Sequence, residues 1–165
     1  MNYKIRDNFL PSKNLKYLSN LFLDYERFYY FYAPHQVEAK KDASFHFHSF
    51  YKFGQKNSIF VHEIIDNLLK FLHYASIINC RLNLTLNRKD PIRSGVHTDT
   101  RKPGLTSIFY LNSNNGKTVL FINGEEVMID SVENRLLIFD NNIEHCSINH
   151  TDTEYRLVIN TNYMI

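Results

Sequence analysis

The chain has 165 residues, 44% hydrophobic and 15% aromatic, which is enough to build a core and too apolar for a disordered polymer. A formal net charge of +2 is too small to indicate a nucleic-acid or membrane surface by itself. No apolar run approaches the roughly 18 residues of a membrane span, and Met1–Asp7 has no apolar signal core, so a cytoplasmic protein is expected.

Residues 1–10 read as a short strand or extended entry. Ser12 suits the cap of a helix over about 12–24, where Leu15, Leu18, Leu21 and Phe22 recur at helical spacing. Residues 25–57 crowd Tyr25, Phe28, Tyr29, Tyr30, Phe31 and Tyr32, followed by Phe45, Phe47 and Phe50, with Pro34 and Gly54 as punctuation. Core beneath a loop is one reading of this segment; a flap over substrate is the other. Ser58 suits the cap of a second helix over about 58–76, with an apolar stripe of Ile64, Ile65, Leu68, Leu69 and Leu72.

After Asn79 the period changes to two. Leu82, Leu84 and Leu86 alternate with Asn83, Thr85 and Asn87, as in a strand with unlike faces. Further strands are expected at about 95–99, 105–112, 117–122, 125–130, 135–139, 144–148 and 155–163. Asn123-Gly124 is the strongest hairpin signal. Helices followed by many short strands, with no internal repeat or linker, predict a single α+β domain over 1–165, mostly β, built as a sandwich or barrel. Cys80 and Cys146 form no Cys-x-x-Cys pair; a disulfide between them stays open.

The chemistry concentrates in His97, Asp99, His145 and Arg156. On a strand, residues i and i+2 project to one face, so His97 and Asp99 can converge on one ion. His145 follows the apolar run Leu136–Phe139 and the turn Asp140-Asn141-Asn142, a sensible return to the same site. Two imidazoles and a carboxylate can occupy one face of a ferrous ion and leave the other open; zinc, manganese and cobalt also suit this donor set. Arg156 shares a strand face with Val158, Asn160 and Asn162. It could grip a dicarboxylic acid by a bidentate pair, or form a surface ion pair with Glu154 or Glu133.

With these residues in place, the stretch 81–163 resembles the 2-oxoglutarate/Fe(II)-dependent dioxygenases, in particular the compact prolyl-4-hydroxylase-like group and phage-type oxygenases. The resemblance rests on Val96-His97-Thr98-Asp99-Thr100, Ser107–Asn112, Asn114–Thr118, Asn134–Asp140, His145 and Arg156–Asn160; Asp7–Pro11 resembles the usual opening. It implies a double-stranded β-helix (jelly roll) with N-terminal helices packed on one sheet. It implies Fe(II) on His97, Asp99 and His145, with 2-oxoglutarate as cosubstrate and O2 as oxidant. Arg156 would hold the distal carboxylate of 2-oxoglutarate, and Tyr110 would donate its hydroxyl there. Asn83, ahead of Thr85 and Asn87, would meet the keto-acid end. Many relatives carry Ser or Thr two residues after the Arg; here Val158 stands there, so Tyr110, Thr118 or water must supply that hydrogen bond.

The implied reaction hydroxylates an unidentified primary substrate: a peptidyl side chain by the nearest analogy, or a small molecule, with a nucleobase less expected. Arg88, Lys89, Arg93, Arg101 and Lys102 flank the His-x-Asp segment; Arg93 and Arg101 are candidates for an acidic or phosphate-bearing substrate, or else ordinary loop charge. His46 and His48 share i, i+2 spacing without a nearby carboxylate. His150 is expected to face solvent, and Cys146 to pack away from the metal. The alternative function is a cupin-like metal-binding jelly roll without oxygenase activity, which has no need of a cation at Arg156.

Overall fold

The computed structural model describes residues 3–34, 44–100 and 102–165; Arg101 lies outside them. In chain order the elements are β1 (Tyr3–Arg6), α1 (Ser12–Leu23), β2 (Phe31–Ala33), β3 (Phe45–Lys52), β4 (Gln55–Lys56), α2 (Val61–Asn67), β5 (Ser76–Leu86), β6 (Leu105–Tyr110), β7 (Asn114–Ile122), β8 (Glu125–Ser131), β9 (Arg135–Asp140), β10 (His145–Ile148) and β11 (Tyr155–Met164). An eight-stranded sheet runs β1-β9-β6-β11-β5-β3-β2, with β4 paired to β3, and a three-stranded sheet runs β10-β7-β8. Among the described residues, no helix is long and apolar enough to cross a membrane.

Alternation along the large sheet separates two cores. Ile108, Tyr110, Leu137, Phe139 and Val158 point toward the small sheet and meet Leu120 and Ile129. The intervening Phe109, Leu136, Ile138, Leu157 and Ile159 point the other way, onto Leu18, Leu21 and Phe22 of α1 and Ile64 of α2. Apolar side chains are therefore needed at every position of Leu136–Phe139, because both faces of β9 are covered. The result is the expected jelly roll with N-terminal helices on the outer face of one sheet. Asn123 and Gly124 both have positive φ (53° and 82°) and close β7 onto β8 as a two-residue hairpin.

Three local expectations change. Ser12 is the first residue of α1 rather than its cap; Pro11 occupies the cap, and its carbonyl accepts from the Asn14 and Leu15 amides. The second helix runs only over Val61–Asn67, with Phe60 rather than Ser58 at its cap, followed by a 3-10 turn over Leu69–Phe71 and an extended Leu72. There the Asn67 side chain donates to the Glu63 carbonyl and accepts from Asn14, which ties the end of α2 to α1. Leu68 and Leu69 still reach the core. The 95–99 strand is absent as a regular element: residues 93–97 run beside β10 through two isolated bridges, Arg93↔Ile148 and His97↔His145, and the Ser94 N–H donates to the Ser147 carbonyl between them.

The aromatic segment divides. Phe28 and Phe50 pack with Phe22, Phe60 and His48 in the core, whereas Tyr25, Phe31, Tyr32 and Phe53 are exposed. Cys80 and Cys146 are both buried and unbridged.

Candidate functional site

The small sheet delivers two imidazoles to one point. β10 pairs with β7, placing His145 opposite Leu120, and His97 bridges to the outer edge of β10. Each ring anchors its Nδ1 on the carbonyl two residues earlier, His97 on Gly95 (2.9 Å) and His145 on Ile143 (3.1 Å). A nitrogen facing a carbonyl carries the proton, which leaves both Nε2 lone pairs available. His97 Nε2 lies 3.6 Å from Asp99 Oδ1, and His145 Nε2 lies 3.7 Å from Asp99 Oδ2. One donor atom from each residue lies within 4.8 Å of the others, so a single ion can be held by all three.

The large sheet positions the carboxylate. Asp99 Oδ2 accepts from Asn160 Nδ2 (3.0 Å) and Asn162 Nδ2 (3.1 Å) of β11, and Asn162 is itself tied to Thr106 (3.0 Å). Burial alone would raise the Asp99 pKa. The two neighbouring histidines and the Asn160 and Asn162 amides outweigh it and hold the carboxyl well below its usual range. Burial also opposes charge on both histidines. For His97 it is outweighed by Asp99 and the Gly95 carbonyl, so its pKa rises; for His145 burial wins and the pKa falls.

Arg156 lies deeper in the same cavity, 5% exposed. Its Nε donates to Ser131 Oγ (2.9 Å) and its Nη2 to Thr118 Oγ1 (3.3 Å). Tyr110, fully buried, donates its hydroxyl to the same Thr118 oxygen (2.8 Å), and the Arg156 guanidinium lies 5.7 Å from the Tyr110 ring centre. Burial lowers the pKa of Arg156 and raises that of Tyr110, so the phenol stays protonated. Among the described residues, no acid pairs with Arg156. The surface ion pair with Glu154 or Glu133 is therefore not formed; a buried charge stands here without a counterion.

Asn83 and Thr85 line this cavity, and the Asn83 side-chain oxygen is buried without a partner. Asn87 does not join them; it is exposed and donates to the Thr153 carbonyl. Arg93 is also elsewhere: its guanidinium pairs with Glu126 at 2.6 Å on the surface. Arg101 lies outside the described residues. His150 is fully buried, not solvent-facing, and its ring nitrogens lack well-formed hydrogen bonds; burial, then the nearby charge of Arg156, lowers its pKa. Cys146 is buried beside Arg93 and is not part of the donor group.

Sequence reasoning assigned no role to Ser131, Asn160, Asn162 or Arg81. For Arg81 a signal was present: the polar alternation of Asn83, Thr85 and Asn87 extends back through Arg81 to Asn79. Ser131 had none, since it meets Arg156 only across the gap between the sheets.

No protein-family model and no curated protein matches the sequence. Solved structures do. A 2OG-Fe(II) oxygenase family oxidoreductase from Burkholderia pseudomallei aligns over 99% of this chain and 85% of its own, with TM-score 0.77 and 14% identity. A prolyl-4-hydroxylase from Pseudomonas putida aligns over 99% and 92%, with TM-score 0.67 and 14% identity. The epimerase SnoN of nogalamycin biosynthesis, in complex with Fe3+, alpha ketoglutarate and nogalamycin RO, aligns over 99% and 78%, with TM-score 0.69 and 14% identity. At such identities it is the backbone that is alike, and on that ground the chain has the double-stranded β-helix fold of the 2-oxoglutarate/Fe(II) oxygenases.

Proposed function

We propose that this protein is a non-haem Fe(II) dioxygenase that couples oxidative decarboxylation of 2-oxoglutarate to hydroxylation of a primary substrate. The observation that carries the reading is Arg156: a guanidinium buried without an acid, in one cavity with a His-Asp-His donor set. A buried cation lacking a counterion is costly in the free protein and becomes favourable when an anionic ligand completes it. This also disfavours the cupin-like alternative, which leaves that cation without a purpose.

The residues fit the groups this chemistry needs. His97, Asp99 and His145 would hold the ion, with both Nε2 atoms unprotonated and the carboxylate ionised. Arg156 would hold the distal carboxylate of 2-oxoglutarate. Thr118 already accepts from Tyr110 and Arg156, so its own O–H is left to donate, supplying the hydrogen bond that Val158 cannot. Asn83 can turn its amide to offer an N–H toward the keto-acid end. When bound, iron with 2-oxoglutarate and O2 supplies the oxidising power and releases succinate and CO2. The protein's part is to orient the diacid, fix the carboxylate through Asn160 and Asn162, and keep the cavity dry with Ile108 and Val158.

The test is succinate formation from 2-oxoglutarate by protein loaded anaerobically with Fe(II) and then exposed to O2. Turnover lost in Asp99→Ala, together with weakened 2-oxoglutarate binding in Arg156→Ala, is the expected result. Stable zinc occupancy with no 2-oxoglutarate binding by the wild type would overturn the reading.

A further inference from the structure

Among the described residues, Arg81 is a second cation near the donor set without an acid beside it. It sits on β5, opposite Asn160 of β11 on one side and Ser49 of β3 on the other. Asn160 is the residue whose amide holds Asp99, so Arg81 stands level with the carboxylate. Arg156 is level with Thr85, about 13 Å further along the strands by their rise per residue.

Among the described residues, the Arg81 guanidinium makes no hydrogen bond and has no acid within ion-pair distance. Asp99 acts on it only through its longer-range field. Its Cζ lies over aromatic rings instead, 5.3 Å from the Phe45 ring centre and 5.8 Å from that of Phe47. Stacking on rings leaves the in-plane N–H donors of a guanidinium unused. Two arginines near the surface behave differently: Arg93 meets Glu126 and Arg135 meets Asp7.

Two spaces meet at Arg81. The inner cavity holds Arg156, His97 and His145; an open outer groove is walled by Phe31, Phe47, Tyr51 and Phe53, with Lys52 at its edge. Arg81, Asp99 and Asn160 line both. A molecule lying in the outer groove and reaching toward Asp99 must pass the free edge of Arg81. Phe31 and Phe53 are 53% and 77% exposed, apolar surface that such a molecule would cover.

We propose that Arg81 binds the anionic group, a carboxylate or phosphate, of a primary substrate whose aromatic or apolar body lies in the Phe31–Phe47–Phe53 groove. The inference rests on the oxygenase reading above, since it assumes that the inner cavity belongs to the cosubstrate. It makes Arg81 a specificity-determining residue that selects acidic substrates and sets which C–H bond lies nearest Asp99.

The experiment uses the Mn(II)-loaded protein saturated with 2-oxoglutarate and titrated calorimetrically with phenyl phosphate, phenylacetate and the neutral phenylacetamide. Wild type is expected to bind at least one of the two anions about tenfold or more tightly than the amide. Arg81→Gln and Arg81→Met should both lose that preference, Arg81→Lys should keep part of it, and all three should bind 2-oxoglutarate within about twofold of wild type. Absence of anion preference in wild type, or its survival in both neutral variants, overturns the proposal. So does a loss of 2-oxoglutarate affinity in those variants, which would assign Arg81 to the cosubstrate. Failure of wild type itself to bind 2-oxoglutarate would instead strike the oxygenase reading, and that titration is read separately.

Discussion

His97 and His145 exchange both backbone hydrogen bonds, 3.0 and 2.9 Å, as directly opposed residues of an antiparallel pair. Opposed residues in such a pair project to the same face, so their rings come to 4.6 Å between centres although 48 positions separate them in the chain. A single rung of sheet thereby sets the spacing of two donors. The third, Asp99, follows after the pairing has ended and is held from the opposite sheet by Asn160 and Asn162. The donor set therefore spans the gap between the two sheets.

That division predicts a role for the amides separate from the ligands. Asn160→Ala and Asn162→Ala should each weaken Mn(II) or Fe(II) binding by about 10- to 100-fold, as loss of an outer-shell partner typically does. Asp99→Ala should abolish it. Anaerobic equilibrium dialysis checks the order; affinity unchanged in both Asn variants would show that Asp99 holds its position unaided.

Arg156 is predicted to trade stability for binding. Arg156→Met removes a buried charge that has no counterion, so the ligand-free protein should unfold at the same temperature or higher. Binding of 2-oxoglutarate should weaken by about 2–5 kcal/mol, the usual cost of deleting one member of a buried charged pair. Thermal unfolding and calorimetry on the same sample separate the two effects. A large fall in stability would mean that Ser131, Thr118 and Tyr110 need the guanidinium as much as the ligand does.

Gly116 controls the same guanidinium sterically. A Cβ there would stand 3.0 Å from the Ile148 carbonyl oxygen and 3.2 Å from Arg156 Cδ, with Asn114 Oδ1 nearer still at 2.8 Å. Gly116→Ala should cost about 1–3 kcal/mol by overpacking and displace Arg156. The expected signature is weaker 2-oxoglutarate binding with metal affinity unchanged, read from paired titrations of the variant.

His48 gives an acid-sensitive contribution outside the site. It is 1% exposed, its Nδ1 faces the Tyr29 carbonyl at 3.0 Å and its Nε2 faces Ser58 Oγ at 2.6 Å. Burial lowers its pKa below 6.5, against the opposing effect of the Tyr29 carbonyl. The unfolded chain therefore takes up the proton first as pH falls. Stability is fully present above 6.5 and is lost between 6.5 and the lower folded value. Urea midpoints measured on metal-free protein at pH 7.5 and 5.5 should fall less in His48→Gln than in wild type. Equal falls would place the acid sensitivity elsewhere, at His145 or His150.

Much of this protein was legible as sequence because the signals are local and periodic. The alternation of Leu82, Leu84 and Leu86 with Asn83 and Thr85 marks a strand with a polar cavity face. Asn123-Gly124 specifies a tight hairpin because both residues tolerate positive φ. The spacing of His97, Asp99, His145 and Arg156 indicated one site, and all four line one cavity. The apolar stripe from Ile64 to Leu72 correctly marked core residues but not the helix length. Periodicity records which side chains are buried, and the 3-10 turn over Leu69–Phe71 that follows α2 buries Leu69 as a continued helix would.

By itself, then, the amino-acid order determined most of the strand pattern, the hairpin, a mostly β sandwich or barrel and the identity of the candidate donors, since each depends on residues near one another or on a recognisable spacing; the jelly roll was what the family resemblance implied. Only the tertiary structure decided which polar groups complete the site. Asn160 and Asn162 reach Asp99, Ser131 reaches Arg156, and Arg81 lies over two rings with no acid beside it among the described residues, through contacts between positions 25 to 63 residues apart. It also decided that Arg93 is spent on Glu126 and that His150 is buried. A polar side chain's partner is set by how the sheets face each other across their gap, and one-dimensional spacing carries no record of that distance.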